Sequence, residues 1–299
     1  MKQFQLFLIL VFIMSLSGCR EKVKVEDLKR FAAIENYPSD IFMDTVSNKK
    51  ALIVVAHDDD DCAMSGTISK LTADGWHITQ LSLQRHVLSK TGKNPADIIC
   101  KGNELILQDG YYRIGLDTMQ FSYLPIPYAE IKKQFLTEKV SDALIKIING
   151  YKPSVIFTLD NEKGGYGHPE HIFISQLVKD LFDEGIIEAE KIYQSVYTDH
   201  MEKEIVDKWL GPRLKKWGYP DGNVMANELY GITGMPEPTI QIEISEVAET
   251  KMKYLLAYDE NVRKNLRKFI PYYEEFDAQT YFGIFNKEYF RVIEKPIRP

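Results

Sequence analysis

Short apolar runs alternate with longer amphipathic stretches from Lys50 onward. Runs of β-branched and other apolar residues predict strands, in chain order, at 51–56, 78–83, 154–159 and 192–197. Helical patterns occupy the stretches between them, at about 62–74, 97–115, 129–149 and 170–185. Such alternation is typical of a mostly parallel sheet, so we expect an α/β fold with helices on both faces of the sheet.

The later part of the chain does not continue this alternation of predicted strands and helices. Residues 211–239 are rich in Gly and Pro, which predicts a loop-rich excursion. An alternating strand over Thr239–Ile244 follows, and then a helix from Ser245, its predicted N-cap, to about Tyr258. We expect residues 50–299 to form a single domain.

The N-terminus has the pattern of a bacterial targeting segment. Lys2 precedes the apolar run Leu6–Met14, which is shorter than the roughly 20 residues that span a bilayer. The closing residues Leu16–Cys19 resemble a lipobox, although an ordinary secretory signal is the alternative. We expect a signal peptide over 1–18 and a lipid anchor at Cys19. Residues 19–49 would form a tether with a short helix around 25–36, which places the protein in the bacterial cell envelope outside the cytoplasm.

Charge and cysteine content narrow the choice of partners. The net charge is −6 and the basic residues are scattered, so no binding surface for nucleic acid is expected.

In an oxidising compartment Cys62 and Cys100 could form a disulfide. Cys62 lies beside an aspartate run and is either a thiolate ligand or a small buried residue, and we favour burial.

Two histidine-containing motifs follow predicted strands. The run Ala56–Asp61 reads Ala-His-Asp-Asp-Asp-Asp, and Gly167–His171 reads Gly-His-Pro-Glu-His. Ligands in such sheets bind beyond the carboxyl ends of the strands, where both motifs lie. Four adjacent carboxylates repel one another and favour a cation among them. Imidazole and carboxylate ligands together are typical of a hydrolytic zinc site, with one position left open for water.

The motifs supply every group that such a site needs. His57, one aspartate of the run and His171 provide three ligands. Another aspartate is available as the general base, and His168 is available to stabilise an oxyanion. Glu170 is either a second candidate base or a charge that stabilises the first turn of a helix, and we favour the helix role.

These motifs resemble those of the PIG-L/LmbE-like zinc-dependent N-acetylglucosaminyl deacetylases. The family signatures are Ala-His-Pro-Asp-Asp-Glu and Gly-His-Pro-Asp-His. Weaker similarities lie at Lys101–Glu104, at Ile114-Gly115 and in Glu243–Ala257, so that the resemblance covers about residues 50–292. It implies the Rossmann-like, LmbE-like version of the predicted fold.

The resemblance also implies roles for individual residues. His57, Asp60 and His171 would bind zinc or another divalent metal, Asp59 would be the general base, and His168 would stabilise the tetrahedral intermediate. The implied activity is hydrolysis of a linear amide C–N bond. An acyl group, most often acetyl, would be removed from an amino sugar or glycoconjugate, so the partner is a small-molecule or glycan substrate.

Departures from the family pattern concern substrate contacts as well as the motifs. Asp58, Asp61 and Glu170 stand where the family has Pro, Glu and Asp. Arg85 and Lys101 are candidates for binding an anionic or sugar-hydroxyl group, and ordinary surface charge is the alternative for each. Three aromatic residues around the Gly/Pro-rich stretch are either packing residues or stacking platforms for a sugar: Trp209, Trp217 and Tyr219.

Two other functions fit the sequence. One is a related amide hydrolase that acts on a non-sugar acylated amine, which a substrate panel distinguishes. The other is a non-catalytic, glycan-binding surface lipoprotein, for which purified protein would lack stoichiometric metal.

Overall fold

The computed structural model describes residues 23–83, 110–113, 124–135 and 137–295. The strands in this part of the chain are β1 Lys50–Val55, β2 His77–Ser82, β3 Gly110–Arg113, β4 Val155–Leu159, β5 Lys191–Ser195, β6 Ile240–Glu243 and β7 Lys287–Glu294. The predicted anchor Cys19, the predicted substrate contacts Arg85 and Lys101, and Cys100 lie outside the described residues.

Helices separate and follow these strands. In chain order they are α1 Val25–Lys29, α2 Phe42–Thr45, α3 Ser65–Ala73, α4 Tyr128–Gln134, α5 Thr137–Tyr151, α6 Pro169–Asp183, α7 Asp199–Met201, α8 Gly211–Lys216, α9 Gly222–Tyr230, α10 Ala248–Ala257, α11 Glu260–Phe269 and α12 Ala278–Ile284. Short 3₁₀ segments lie at Asp60–Met64, Ser245–Val247 and Tyr273–Glu275. A π-helical segment, Glu202–Leu210, joins α7 to α8, and a kinked turn, Gly164–Gly167, precedes α6.

The strands form one mixed sheet in the order β3-β2-β1-β4-β5-β7-β6. The pairs from β3 to β5 are parallel, whereas β7 runs antiparallel to both β5 and β6. A mostly parallel sheet is expected to be covered on both faces, and its central strands are then apolar throughout. The predicted Rossmann-like α/β fold is confirmed.

Side chains of β1 alternate between two hydrophobic cores. Ala51, Ile53 and Val55 face the core that includes residues of α3, α10 and α12. Leu52 and Val54 face the opposite core, which α5 and α6 help to build. Because both faces are sealed, polar groups at the ends of the central strands are directed to the edge of the sheet, where the motifs lie.

Two stretches differ from their predicted structure. Residues 110–113 belong to the predicted helix 97–115 but form β3, because parallel pairing with β2 outweighs the local helical pattern. Residues 211–239 contain α8 and α9 in place of a long loop. The Asp221 carboxylate caps α9 by accepting the Asn223 and Val224 N–H groups, and Gly231 ends this helix at φ +67°. Ser245 opens a 3₁₀ turn and is not an N-cap.

The segment before β1 packs onto the domain, although its sequence predicts a tether. The predicted helix over 25–36 is helical only at α1, and the side chains of Leu28 and Phe31 are fully buried. Ser39 forms an isolated parallel bridge with Gln241, so this segment covers the outer edge of β6. None of the helices in the described ranges has the length and apolar character needed to cross a bilayer.

Candidate metal centre

The two motifs meet where neighbouring parallel strands end. β1 pairs with β4, so His57 and the turn after β4 lie side by side at the carboxyl edge of the sheet. The aspartate run continues into the 3₁₀ segment Asp60–Met64, and Pro169 occupies the first position of α6. His168 is the N-cap of α6.

Three atoms form a compact triangle at this edge. His57 Nδ1 lies 3.1 Å from His171 Nε2, and Asp60 Oδ1 lies 3.5 Å and 3.2 Å from the same two nitrogens. Ligands at the usual zinc distances in a tetrahedral site are separated by about 3.3 Å. Two imidazole nitrogens that both present lone pairs repel each other at 3.1 Å unless a proton or a cation lies between them. The donor set therefore fits a divalent metal.

The backbone before α6 fixes the orientation of His171. Its Nδ1 donates to the carbonyl oxygen of Gly164 at 3.0 Å, which directs Nε2 toward the triangle. Gly164 adopts φ +61°, and a Cβ there would lie only 2.9 Å from the Cβ of His171. This glycine is therefore required for the turn and for the close approach to the histidine.

Glu170 orients the other histidine. Its carboxylate is fully buried, and Oε2 lies 2.6 Å from His57 Nε2, so that Nδ1 of the ring is directed toward Asp60 and His171. The role favoured from sequence, a charge in the first turn of a helix, missed this contact. The local motif carries no signal for it, because the two partners are more than a hundred positions apart in the chain.

The charged neighbours of the triangle polarise it. Burial alone would lower the pKa of His57, but Asp60 and Glu170 raise that pKa well above its ordinary value. Burial would likewise raise the pKa of Asp60, yet His171 and His57 hold it well below its ordinary value. The site keeps the Asp60 carboxylate ionised and favours positive charge on the His57 imidazole, which is the electrostatic environment of a cation site.

The aspartates of the run have distinct surroundings. Asp60 Oδ2 accepts the backbone N–H of His57 at 2.8 Å, which closes the turn. Asp61 is fully buried and its carboxylate accepts hydroxyl groups from Tyr254 and, at 2.7 Å, from Tyr258. Burial and the Asp61 charge raise the pKa of both tyrosines well above its usual range, so they remain donors. Asp61 therefore ties the metal-binding turn to α10 and the residue after it.

The predicted base and oxyanion donor lie beside the triangle. Asp59 brings a carboxylate oxygen into a group with ligand atoms of His57 and Asp60 that are all within 4.8 Å of one another. His168 Nδ1 accepts the Glu170 N–H at 3.3 Å, so the neutral ring carries its proton on Nε2. The His168 ring stacks on His171 at a centroid separation of 4.4 Å. Both residues also line the adjoining cavity.

That cavity has a volume of about 620 Å³ and a largely apolar wall. Much of the wall comes from the π-helical segment, α8 and the region of α11 and α12. Its apolar members include Ile205, Val206, Leu210, Leu214, Phe269 and Phe285. Trp209 packs edge-on against Phe31 at 5.4 Å, which confirms packing for this residue, whereas Trp217 and Tyr219 are exposed and line the cavity.

Cys62 borders the cavity without joining the metal-binding group. Among the described residues, the His and Asp clusters that could bind a metal include no cysteine, and Cys62 is a free thiol. Burial and the nearby Asp59 raise its pKa well above the ordinary value for a thiol. The favoured role, a small buried residue, fits this half-buried position better than a thiolate ligand does.

Two buried ionic contacts hold the site to its surroundings. Lys163, in the turn that carries Gly164, forms a buried ion pair with Glu202 of the π-helical segment. Burial outweighs the attraction of Lys163 and raises the pKa of Glu202. On the other side, Glu288 of β7 accepts the N–H groups of Gly66 and Thr67, at 2.8 Å and 2.7 Å, and pairs with Lys251. It thereby caps α3, which has no side-chain cap of its own.

One protein-family model is similar to the segment of the chain that carries the two motifs. Residues 52–182 match the PIG-L family model, described as GlcNAc-PI de-N-acetylase, as the sequence motifs predict. None of the curated protein sequences matches the chain.

Solved structures with a similar fold have low sequence identity. The N,N'-diacetylchitobiose deacetylase from Pyrococcus horikoshii is 17% identical with a TM-score of 0.47, over 84% of this chain and 88% of that chain. The A40926 pseudoaglycone deacetylase is 12% identical with a TM-score of 0.46, over 84% and 100%. The 4-carboxy-2-hydroxymuconate hydratase from Pseudomonas putida is 13% identical with a TM-score of 0.45, over 84% and 98%. Scores at this level carry no information on substrate.

Proposed function

We propose that the protein is a metal-dependent hydrolase, because its residues 52–182 match the PIG-L family model and carry both metal-binding motifs. It would remove an N-acyl group, in the first place acetyl, from an amino sugar or glycoconjugate. The observation that carries this proposal is the triangle of His57 Nδ1, His171 Nε2 and Asp60 Oδ1, with separations of 3.1 to 3.5 Å. Two imidazoles and one carboxylate form a ligand set typical of hydrolytic zinc sites, so zinc is the proposed metal.

The chain's own residues account for the proton movements of amide hydrolysis. His57, His171 and Asp60 would hold the metal, which would supply Lewis-acid chemistry for the amide carbonyl and for water. Asp59 accepts the proton of the attacking water, and His168 donates from Nε2 to the oxygen on which negative charge develops. Protonated Asp59 then gives its proton to the departing nitrogen. One water is consumed, and a carboxylic acid and an amine are formed.

The first test is Asp59→Asn, which removes the proposed base and keeps the shape of the side chain. We expect kcat for an N-acetylglucosamine conjugate to fall by about 10²- to 10⁴-fold, with metal content unchanged. Exposed Asp44→Asn is the matched control and retains wild-type turnover. Wild-type turnover in Asp59→Asn, or purified protein without stoichiometric metal, would contradict the proposal.

A second candidate function is hydrolysis of a non-sugar acylated amine. The apolar wall of the cavity favours it, because a sugar offers many hydroxyl groups that such a wall leaves without hydrogen bonds. A panel of N-acetyl sugars, N-acyl amino acids and N-acyl alkylamines compares the two directly through kcat/KM. Higher kcat/KM for the sugars supports the first candidate, and the reverse order supports the second.

A further inference from the structure

The mouth of the cavity carries a short basic and aromatic surface. Lys215, Lys216, Trp217 and Tyr219, here called the rim, follow one another at the end of α8. The exposed fractions of Trp217 and Tyr219 are 51% and 55%, although both also line the cavity. Large aromatic side chains left in water at the entrance of an apolar cavity are the feature that requires an explanation.

We propose that the rim docks on a lipid bilayer that carries anionic headgroups, so that the cavity opens toward the membrane surface. Trp and Tyr favour the boundary between hydrocarbon and water, because each has an apolar ring and one polar group. Lysines beside them are attracted to anionic headgroups. The rim combines both features within five consecutive positions.

The lysines of the rim are available for such a partner. Neither Lys215 nor Lys216 forms an ion pair with any residue in the described ranges. Some other exposed lysines are paired, such as Lys133 with Glu130 at 2.8 Å and Lys208 with Glu204 one turn before α8. The chain as a whole has a net charge of −6, whereas Lys215 and Lys216 give the rim a local positive charge. This local charge is complementary to an anionic surface.

The support beneath the rim is rigid. The Arg213 guanidinium stacks over the Trp209 ring at 3.1 Å and donates to the Trp209 carbonyl at 2.6 Å. Trp209 in turn packs on Phe31, just beyond α1. A bilayer is a flat partner, so a fixed support that presents Trp217 and Tyr219 together favours docking without an ordering cost in the protein.

The proposed anchor lies close to the same support in the chain. Five residues lie between Cys19 and Val25, the start of α1, and a chain of that length reaches at most about 20 Å. An acyl chain at Cys19 would therefore keep α1, and with it the packed Phe31 and Trp209, near a membrane. A substrate with an apolar portion would pass from the bilayer into the cavity along the rim.

Vesicle binding of the full-length chain tests this proposal. All proteins carry Cys19→Ala, which removes the proposed acyl anchor and leaves the remaining leader common to every sample. The vesicles contain phosphatidylcholine with or without phosphatidylglycerol, and sedimentation gives the partition coefficient. On anionic vesicles we expect Lys215→Gln with Lys216→Gln to lower it about 25-fold, or about five-fold per lysine.

A matched control separates the rim from total charge. Lys139→Gln with Lys146→Gln makes the same charge change on exposed positions of α5, and neither residue lines the cavity. We expect this control to bind like the parent. Quenching by brominated lipid is expected to decrease in Trp217→Phe, because Trp217 inserts.

The binding and quenching measurements test the docking proposal independently of any catalytic activity. Equal binding of the rim variant and the parent, an equal loss in the α5 control, or unchanged quenching in Trp217→Phe would each overturn it. Because binding is measured without turnover, Asp59→Asn is expected to bind vesicles normally. Failure of the proposed hydrolase function would therefore leave this test intact, and failure here would leave the hydrolase proposal intact.

Discussion

The floor of the site and the wall of its cavity are built in opposite ways. The floor consists of buried ionisable groups, each directed by a backbone or carboxylate partner, as Gly164 directs His171 and Glu170 directs His57. The wall is largely apolar and is held by packing, and its outer edge is exposed at Trp217. The floor fixes atoms to within a hydrogen-bond length, whereas the wall fixes only shape and polarity.

Because of this difference, the floor and the wall determine different properties of the site. The floor determines which bond is attacked, because chemistry depends on the positions of a few atoms. The wall determines which molecules reach that position, because it selects by volume and hydrophobicity. The buried ion pair of Lys163 and Glu202 is a polar contact that joins the two regions, here called the joint, so substitutions at the floor, the wall and the joint are expected to have different effects.

The largest effect is expected at the joint. Lys163→Met leaves Glu202 buried without its cation, and we expect the free energy of unfolding to fall by about 3–5 kcal/mol in urea titrations. The double variant Lys163→Met/Glu202→Leu is expected to recover most of this loss, because burial already costs Glu202 much of what the pair returns. If Lys163→Met were as stable as the parent, the ion pair would not link the floor to the wall.

A surface pair is the control for that measurement. Lys179→Met removes the partly exposed ion pair with Asp183 on α6, and we expect a change of about 0–1 kcal/mol in the free energy of unfolding. A loss as large as that of Lys163→Met would mean that lysine removal in general, and not the joint, accounts for the effect.

A smaller effect confined to the floor is expected for Glu170→Gln. This change weakens the contact that orients His57, so the metal dissociation constant should rise about 10- to 100-fold in a competition with a chelator. Glu162→Gln, an exposed carboxylate near the same strand end, is the matched control with unchanged affinity. Unchanged metal affinity in Glu170→Gln would show that His57 is held by Asp60 alone.

The smallest effect concerns Cys62, on the boundary between the two regions. Burial and nearby aspartates raise its pKa well above the ordinary thiol value, so little of the thiol is ionised at neutral or mildly alkaline pH. Because the thiolate is the form that reacts, we expect alkylation near pH 8 to be about ten-fold slower than for an ordinary thiol. Mass spectrometry of the peptide that contains Cys62 follows the reaction. Alkylation at the rate seen in urea-unfolded protein would contradict this.

The residues of the floor could be predicted from the sequence better than those of the wall, and the reason is physical. β1 and β4 are apolar runs followed at once by their motifs, so local pattern and parallel topology together bring His57 and His171 to one edge. Asp59, Asp60 and His168 accompany them by covalent connection. Their predicted roles as base, ligand and oxyanion donor stay predictions, although the structure brings all of these residues together.

Parts of the fold and of the site depend on contacts that no local pattern encodes. The Gly and Pro content of 211–239 predicts loops, but Asp221 and Gly231 supply the cap and the terminator of α9. Glu170 contacts a histidine far away in sequence, and Asp61 meets tyrosines at positions 254 and 258. β3 arises from pairing with β2, which outweighs its local pattern. In each case tertiary partners decide the outcome.

The cap that β7 places on α3 has a consequence for biosynthesis. Glu288 binds the N–H groups of Gly66 and Thr67, which the ribosome adds more than two hundred residues earlier. The helix that follows the aspartate run therefore waits for its anionic partner until more than two hundred further residues have been translated. A chain released early, before β7, exposes those amide groups and lacks the partner of β5 and β6. Completion of the site thus requires that translation has passed β7.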